Sequence, residues 1–112
     1  MNAEYWSCDV KGDSVAVLNV PPALGRTRVF DVDIMLNVGV PLQGRSPWHE
    51  LKVELDGQQR WARRIDSHAP ADSLDYHCRV VVEPNEELRI RATAGVRESK
   101  VLRLKIEARE DV

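Results

Sequence analysis

Three histidines are the side chains in this sequence best suited to hold a metal ion. His49, His68 and His77 are 19 and 9 positions apart, and neither interval matches the close spacing of ligands on one helix or loop. His77 falls on the polar face of a predicted strand, and the other two lie at predicted loop edges. The sequence therefore predicts three partly exposed histidines and no metal site. A site that folding assembles from distant histidines is the alternative.

Aspartates form a second candidate group. Asp31 and Asp33 project from one predicted strand face, and Asp66, Asp72 and Asp75 surround a predicted loop. Loop carboxylates can bind calcium, but the sequence has no D-x-D-x-D-G loop. We therefore favour solvated carboxylates that discourage pairing of strand edges, with calcium binding as the alternative.

Motifs for nucleophilic catalysis and phosphate binding are absent from the sequence. There is no G-x-S-x-G motif and no G-x-G loop. Cys8 and Cys78 lie within strand patterns, where a free cysteine usually acts as a small hydrophobic residue. We therefore predict no catalytic residue and no cofactor. A small metal-dependent enzyme that uses the histidines and loop carboxylates is kept as a third hypothesis.

Basic side chains on the C-terminal strands form a candidate binding surface. The sequence places five of them on predicted polar strand faces: Arg79, Arg89, Arg91, Arg103 and Lys105. If these strands were neighbours, they would form one positive surface for an acidic protein, a phosphate-bearing ligand or RNA. Interleaved glutamates favour cross-strand ion pairs instead. The surface also lacks the aromatic platform that single-stranded nucleic acid needs, which disfavours a nucleic-acid partner.

Trp48 ends a loop over about 39–48 that is rich in proline and glycine and contains Arg45. This loop is long for a connection in a sandwich, and tryptophan seldom stays in a loop unless it packs or binds. We favour a packing role, in which Val40, Leu42 and Trp48 cover one end of the core. The alternative is a recognition surface for a protein or a sugar ring.

Strands are predicted because apolar residues occupy every second position in several segments, which gives one apolar and one polar face. The apolar faces are Phe30, Val32, Ile34, Leu36 and Val38; Leu51, Val53 and Leu55; Leu74, Tyr76, Cys78, Val80 and Val82; Leu88, Ile90 and Ala92; and Leu102, Leu104, Ile106 and Ala108. Antiparallel sheets that cover a core on one side have this pattern. No segment has the spacing of an amphipathic helix.

Glycine and proline separate these segments at intervals typical of a sandwich. We predict an all-β fold: a single antiparallel β-sandwich of about seven to eight strands spanning residues 1–112. The Asp56-Gly57 pair predicts a hairpin. We prefer a register with Gly57 as a bulge and Trp61 opposite Leu51, which keeps Trp61 on the apolar face. Trp6 and Trp61 are expected in or against the core.

One short segment, D-x-x-x-Y-x-C over residues 72–78, resembles the tyrosine-corner region of immunoglobulin domains. The resemblance implies an immunoglobulin-like sandwich, with a jelly-roll-like sandwich as the second alternative. It implies that Tyr76 is largely buried with its hydroxyl bonded to nearby backbone. It also leaves open a Cys8–Cys78 disulfide, which we do not favour because a reducing compartment is expected.

The composition also disfavours some classes of binding partner. The net charge of −2 is too small to drive binding to DNA or an anionic membrane. Charged residues interrupt any apolar stretch in the first twenty positions, and no apolar run could span a bilayer. We therefore expect a cytoplasmic protein without a membrane partner.

The best hypothesis for function is a non-enzymatic binding or accessory module that mediates protein–protein interaction or self-association as a homodimer. A carbohydrate-binding module with Trp48 and Trp61 as its platform is the second hypothesis. The candidate binding residues are Arg45, Trp48, Arg79, Arg89, Arg91 and Arg103.

Overall fold

The computed structural model describes residues 2–112. Within this range the chain forms eight antiparallel strands: β1 (Tyr5–Lys11), β2 (Val15–Val20), β3 (Arg28–Gly39), β4 (Trp48–Leu55), β5 (Gln58–Asp66), β6 (Ala71–Val82), β7 (Leu88–Arg97) and β8 (Lys100–Glu110). The predicted antiparallel β-sandwich is confirmed. None of the described residues forms a helix long and apolar enough to cross a membrane.

Strand order distinguishes between the two sandwich types that the sequence left open. Sheet 1 has the order β1-β8-β3-β6, and sheet 2 has the order β2-β7-β4-β5. The first two strands of an immunoglobulin sandwich share a sheet, whereas here β1 and β2 lie in different sheets. The favoured immunoglobulin-like order is therefore not observed. The arrangement of eight strands in two four-stranded sheets is that of a jelly roll, the second alternative.

The core lies between the two sheets and follows from the alternating pattern. On β3, Phe30, Val32, Ile34, Leu36 and Val38 all point inward and are buried. Removing one such side chain from water contributes about 2 kcal/mol. The intervening positions of β3 point outward and are polar at Asp31, Asp33 and Asn37, so this strand separates its two faces as its sequence predicts.

The pattern on β8 departs from the prediction at Leu102. The pairing of β3 with β8 shifts between Asn37 and Val38, so that Val38 faces Val101 while Asn37 faces Arg103. Leu102 is the extra residue of this bulge. Val101 and Leu104 are therefore buried, and Leu102 is 42% exposed instead of sharing the inner face.

This bulge makes Leu104 and Leu102 a matched pair for mutation. We expect Leu104→Ala to lower the free energy of unfolding by about 3 kcal/mol, because it leaves a cavity in the core. We expect Leu102→Ala to change it by less than about 0.5 kcal/mol. Urea denaturation of both variants measures the difference. Equal losses would contradict the assignment of the bulge.

The β4–β5 hairpin corrects the predicted register. Asp56 and Gly57 both have positive φ, 50° and 82°, which is the geometry of a two-residue type I′ turn. The pairing shifts between Val53 and Glu54, so the extra residue is Arg60 and not Gly57, and Trp61 pairs with Val53. Trp61 still lies on the inner side of the sheet, as expected, because its partner is a buried residue.

A polar network joins both ends of the described chain to the β2–β3 connection. Arg26 donates to Glu110 and to Glu4, each at 2.6 Å, and the fully buried Arg28 donates to Glu4 at 2.9 Å. The Trp6 indole also donates to Glu4 at 2.9 Å. The hydrogen bond from Arg26 lowers the pKa of Glu110. Burial alone would raise the pKa of Glu4, but the hydrogen bonds from Trp6, Arg28 and Arg26 together hold it below its ordinary value.

Lowered carboxylate pKa values predict a loss of stability in acid. The pKa of Glu110 is lower in the folded protein than its ordinary value of 4.5, so its ionised carboxylate stabilises the fold above pH 4.5. This stability is lost as the pH falls through the folded pKa. We expect Glu110→Gln to cost about 2 kcal/mol near neutral pH, because it removes charge-assisted hydrogen bonds. The difference from the parent protein should shrink below pH 4.5.

Urea denaturation at neutral and acidic pH measures this difference, and Glu87→Gln, at an exposed loop position, is the control. A Glu110→Gln penalty that stays constant with pH would rule out the proposed contribution.

Candidate functional site

The two edges of the sandwich are built differently. β1 and β2 pack closely against each other across one edge, whereas few backbone contacts join β5 to β6 across the other. We call this second edge, lined by Trp61, Arg63 and Ile65 of β5 and Tyr76, Cys78 and Val80 of β6, the open edge. Within residues 2–112 no strand pairs with the outer side of β5, so its backbone groups there are free to pair with another chain.

Two aromatic rings fill the middle of the open edge. Trp61 and Tyr76 stack with their ring centroids 4.6 Å apart and an angle of 19° between their planes. Both side chains are half-buried, so the stack closes the core while leaving aromatic surface at the edge. An offset stack of this kind adds about 1 kcal/mol to the area that it buries.

The position of Tyr76 differs from the tyrosine corner that the local resemblance implied. Tyr76 lies in the middle of β6, paired with Ile34, and it is half-buried instead of largely buried. No hydrogen bond found within residues 2–112 joins its hydroxyl to the backbone. Its partner is the ring of Trp61.

Cys78 is buried two positions after Tyr76 on the same face of β6 and remains a thiol. Cys8 and Cys78 are both free, and they lie on the two outer strands of sheet 1, with two strands between them. Three strand spacings of about 4.8 Å separate them, well beyond the reach of a disulfide. Burial raises the pKa of the Cys78 thiol, although the nearby Arg60 cation opposes the shift. A buried, protonated thiol is a poor nucleophile.

Two arginines flank the aromatic stack without a counter-ion. Arg60 and Arg63 are both exposed, and within residues 2–112 neither belongs to an ion pair. Arg64, the next residue, is engaged on the outer face of sheet 2. It donates to Glu50 at 2.9 Å and covers the ring of Trp48 at 3.7 Å from its centroid. The free positive charge of β5 therefore lies at Arg60 and Arg63.

The arginines proposed from the sequence do not form one surface. Arg79 and Arg103 lie in sheet 1 and point outward, whereas Arg89 and Arg91 point outward from β7 in sheet 2, on the opposite side of the sandwich. Arg79 pairs with Asp31 at 3.2 Å, and Arg103 pairs with Asp9. This pairing agrees with the favoured interpretation of solvated, ion-paired faces. The single surface was predicted from alternation, which gives the strand face of a residue but not the sheet to which the strand belongs.

The loop before β4 packs only in part. Val40 is buried, but Leu42 is 83% exposed, so the expected cap over the core is formed by Val40 without Leu42. Arg45 is exposed in the same loop. Trp48 begins β4 and lies on the outer face of sheet 2, next to its buried neighbour His49.

The tryptophan pair proposed for sugar binding is not brought together. Trp48 lies on the outer face of sheet 2, and Trp61 lies on its inner side. One ring face of Trp48 is covered by Arg64, and one ring face of Trp61 is covered by Tyr76. The two rings therefore do not form a shared platform.

The histidines lie in three different environments. His49 is fully buried, contrary to the predicted partial exposure, because it points inward from β4. Its Nε2 donates to the Ser73 carbonyl at 3.1 Å, and its Nδ1 lies 2.6 Å from the Ser67 hydroxyl. His68 contacts Asp72 near the β5–β6 connection, and His77 contacts Asp33 on the outer face of sheet 1. Across residues 2–112, no three His, Cys, Asp or Glu residues are grouped so that they could hold a metal ion.

The outer face of sheet 1 carries a shallow depression of about 500 Å³ whose lining includes Met35, Asp33, His77, Glu107 and Arg109. Its charged groups pair with one another: Arg109 with Glu107 at 2.7 Å and His77 with Asp33 at 2.8 Å. Hydrogen bonds from Lys105 and Arg109 lower the pKa of Glu107 to about 2. Because these groups are already partnered, the depression offers less free charge than the open edge.

Sequence reasoning missed the open edge, although β5 carries a signal for it. The strand Gln58–Asp66 is exposed at seven of its nine positions, with half-buried exceptions at Trp61 and Ile65. A strand that is polar on both faces is typical of an edge, because only an uncovered strand tolerates charge at its inward positions.

Comparison with known proteins supports the fold. No protein-family model matches the sequence, and no curated protein matches it significantly. The chain is similar in structure to part of the dimeric latent PorU of Porphyromonas gingivalis, with a TM-score of 0.53 and 11% identity, over 98% of this chain and 14% of that one. It is also similar to part of the mosquito-larvicidal Cry4Aa toxin of Bacillus thuringiensis, with a TM-score of 0.52 and 12% identity, over 95% of this chain and 21% of that one.

A weaker similarity, with a TM-score of 0.38 and 12% identity, joins 85% of this chain to 72% of a family 35 carbohydrate binding module from Clostridium thermocellum. This chain spans only a small part of the length of PorU and Cry4Aa. At these identities the similarities to PorU and Cry4Aa show a shared fold and nothing of function.

The aromatic stack predicts the reactivity of Cys78. In a Cys8→Ser background, we expect Trp61→Ala to speed modification of Cys78 by a thiol reagent about tenfold, because the stack shields the thiol. Trp48→Ala removes a ring from the other side of sheet 2 and should leave the rate unchanged. Circular dichroism checks that both variants stay folded, and equal rates for the two variants would refute the shielding.

Proposed function

We propose that this protein is a non-catalytic binding module that takes up an extended segment of a partner protein as an additional strand along β5. The observation that carries the proposal is the open edge, where a nine-residue strand presents exposed side chains beside a half-buried aromatic stack. In strand addition, main-chain hydrogen bonds supply affinity, and pockets for alternate side chains supply specificity.

The remaining edges support this choice less well. β1 and β2 approach each other closely, which narrows the space for an incoming chain. β6 carries side chains that already pair across sheet 1, such as Arg79 with Asp31 and His77 with Asp33. β5 combines a free edge, apolar contact surface and unpaired charge.

A partner of different sequence is favoured over a second copy of this chain. If two β5 strands paired antiparallel about Ala62, Arg60 of one copy would lie opposite Arg64 of the other. Like charges directly opposite each other destabilise a strand pair. We therefore place self-association second among the protein-binding hypotheses.

The other binding sites expected from the sequence remain proposals. Arg45, Trp48, Arg79, Arg89, Arg91 and Arg103 remain candidate binding residues, of which Arg79 and Arg103 are already paired with carboxylates. Carbohydrate binding remains a hypothesis, but it would have to use groups other than a joint Trp48–Trp61 platform. A cytoplasmic location remains a prediction.

Strand addition can be tested with short peptides that match β5 in length. The probes are end-capped nine-residue peptides in which valine alternates with glutamate, threonine or lysine. We expect at least one probe to shift the amide resonances of β5 in ¹⁵N-labelled protein and to slow amide hydrogen exchange there, because added hydrogen bonds protect the backbone. Amides of β1 and β2 serve as the internal control. Shifts confined to those strands, or no response to any probe, would refute the proposed function.

A further inference from the structure

We infer that the segment taken up along β5 is acidic, with Asp or Glu side chains that meet Arg60 and Arg63. This inference rests on the proposed function and specifies the partner's chemistry. It concerns an extended acidic stretch of another protein, whose carboxylates alternate with apolar residues.

The register of β5 places Arg63 where an incoming strand can reach it. Arg63 pairs with Leu51, which points inward and is fully buried, so Arg63 lies on the inner side of sheet 2. An arginine that points toward a core is unusual, because burying an unpaired charge is costly. Arg63 is nevertheless exposed, so solvent reaches this inward position of the edge strand.

Arg60 reaches the same region through the bulge. It is the residue inserted between the pairs Glu54–Gln59 and Val53–Trp61. It is exposed and directly precedes Trp61, so it lies beside the aromatic stack. Arg60 and Arg63 therefore flank Trp61 on the strand that a ninth strand would join.

The balance of charge at this edge is what selects an acidic segment. Arg64 is neutralised by Glu50 at 2.9 Å, whereas Arg60 and Arg63 make no ion pair within residues 2–112. Two partner carboxylates on one face of the added strand would supply the missing counter-charges. At about threefold in affinity for each exposed ion pair, the two pairs give about a tenfold preference over a neutral segment.

Protection of the edge and recognition of an acidic strand are compatible. Arginines and a bulge on an edge strand discourage pairing with a second copy of the same strand. The same positive charge attracts a strand of opposite charge, so one set of residues rejects the wrong partner and favours the right one.

Competition among the three alternating peptides tests the inference. We expect the glutamate–valine peptide to bind β5 about tenfold more tightly than the threonine–valine peptide and the lysine–valine peptide to bind most weakly, with a preference that falls as salt rises. The double variant Arg60→Glu/Arg63→Glu should reverse the order and favour the lysine peptide. Because both positions are exposed, we expect this variant to fold.

A matched control changes the net charge equally at a different place. Lys11→Glu/Lys100→Glu alters two exposed residues of sheet 1, and the preference for the glutamate peptide should survive in it. Equal binding of all three peptides along β5 would overturn the acidic partner while leaving strand addition intact. Loss of the preference in both double variants would also overturn it, because net charge and not the open edge would then be responsible. No binding of any peptide would instead refute strand addition itself.

Discussion

A two-sheet sandwich must keep water out of its core at both edges, and this protein does so by different means at each. At one edge β1 and β2 pack closely, while the network of Glu4, Arg26 and Glu110 ties the N- and C-terminal segments to the β2–β3 connection. At the other edge the closure depends on the Trp61–Tyr76 stack. The first edge is fastened by backbone packing and ion pairs, whereas the second is closed by two side chains. This difference leaves β5 both accessible and partly apolar.

The fold could be predicted from the sequence to the level of strands and faces. Alternation on β3 identified the buried positions, because a strand with one face on a core and one in water must alternate. Strand order could not be derived, since jelly rolls and immunoglobulin-like sandwiches have the same alternation and similar turns. The bulges at Leu102 and Arg60 could not be predicted for a related reason. Each inserts a single residue, and the pairing with neighbouring strands determines the position of that residue.

The candidate site was harder to predict than the fold. Trp61 was correctly expected against the core, but its partner Tyr76 lies in the other sheet, and no local pattern connects them. The arginines of β6, β7 and β8 were expected to meet, yet β7 lies in the opposite sheet and aspartates neutralise Arg79 and Arg103. A contact between distant strands depends on topology, and so does the question of whether a charge finds a counter-ion. His49 was misjudged in the same way, because the serines that satisfy it come from the β5–β6 connection and from β6.

The insertion of Arg60 connects these features. Without the shift between Val53 and Glu54, the two-residue turn at Asp56-Gly57 would place Trp61 opposite Lys52, on the outer face of sheet 2. The bulge turns Trp61 inward, where it can stack on Tyr76, and leaves Arg60 exposed next to it. A single inserted residue thus brings the aromatic closure and one of the two unpaired cations into adjacent positions of β5. Closure of the core and part of the chemistry of the exposed edge are therefore consequences of one local departure from regular pairing.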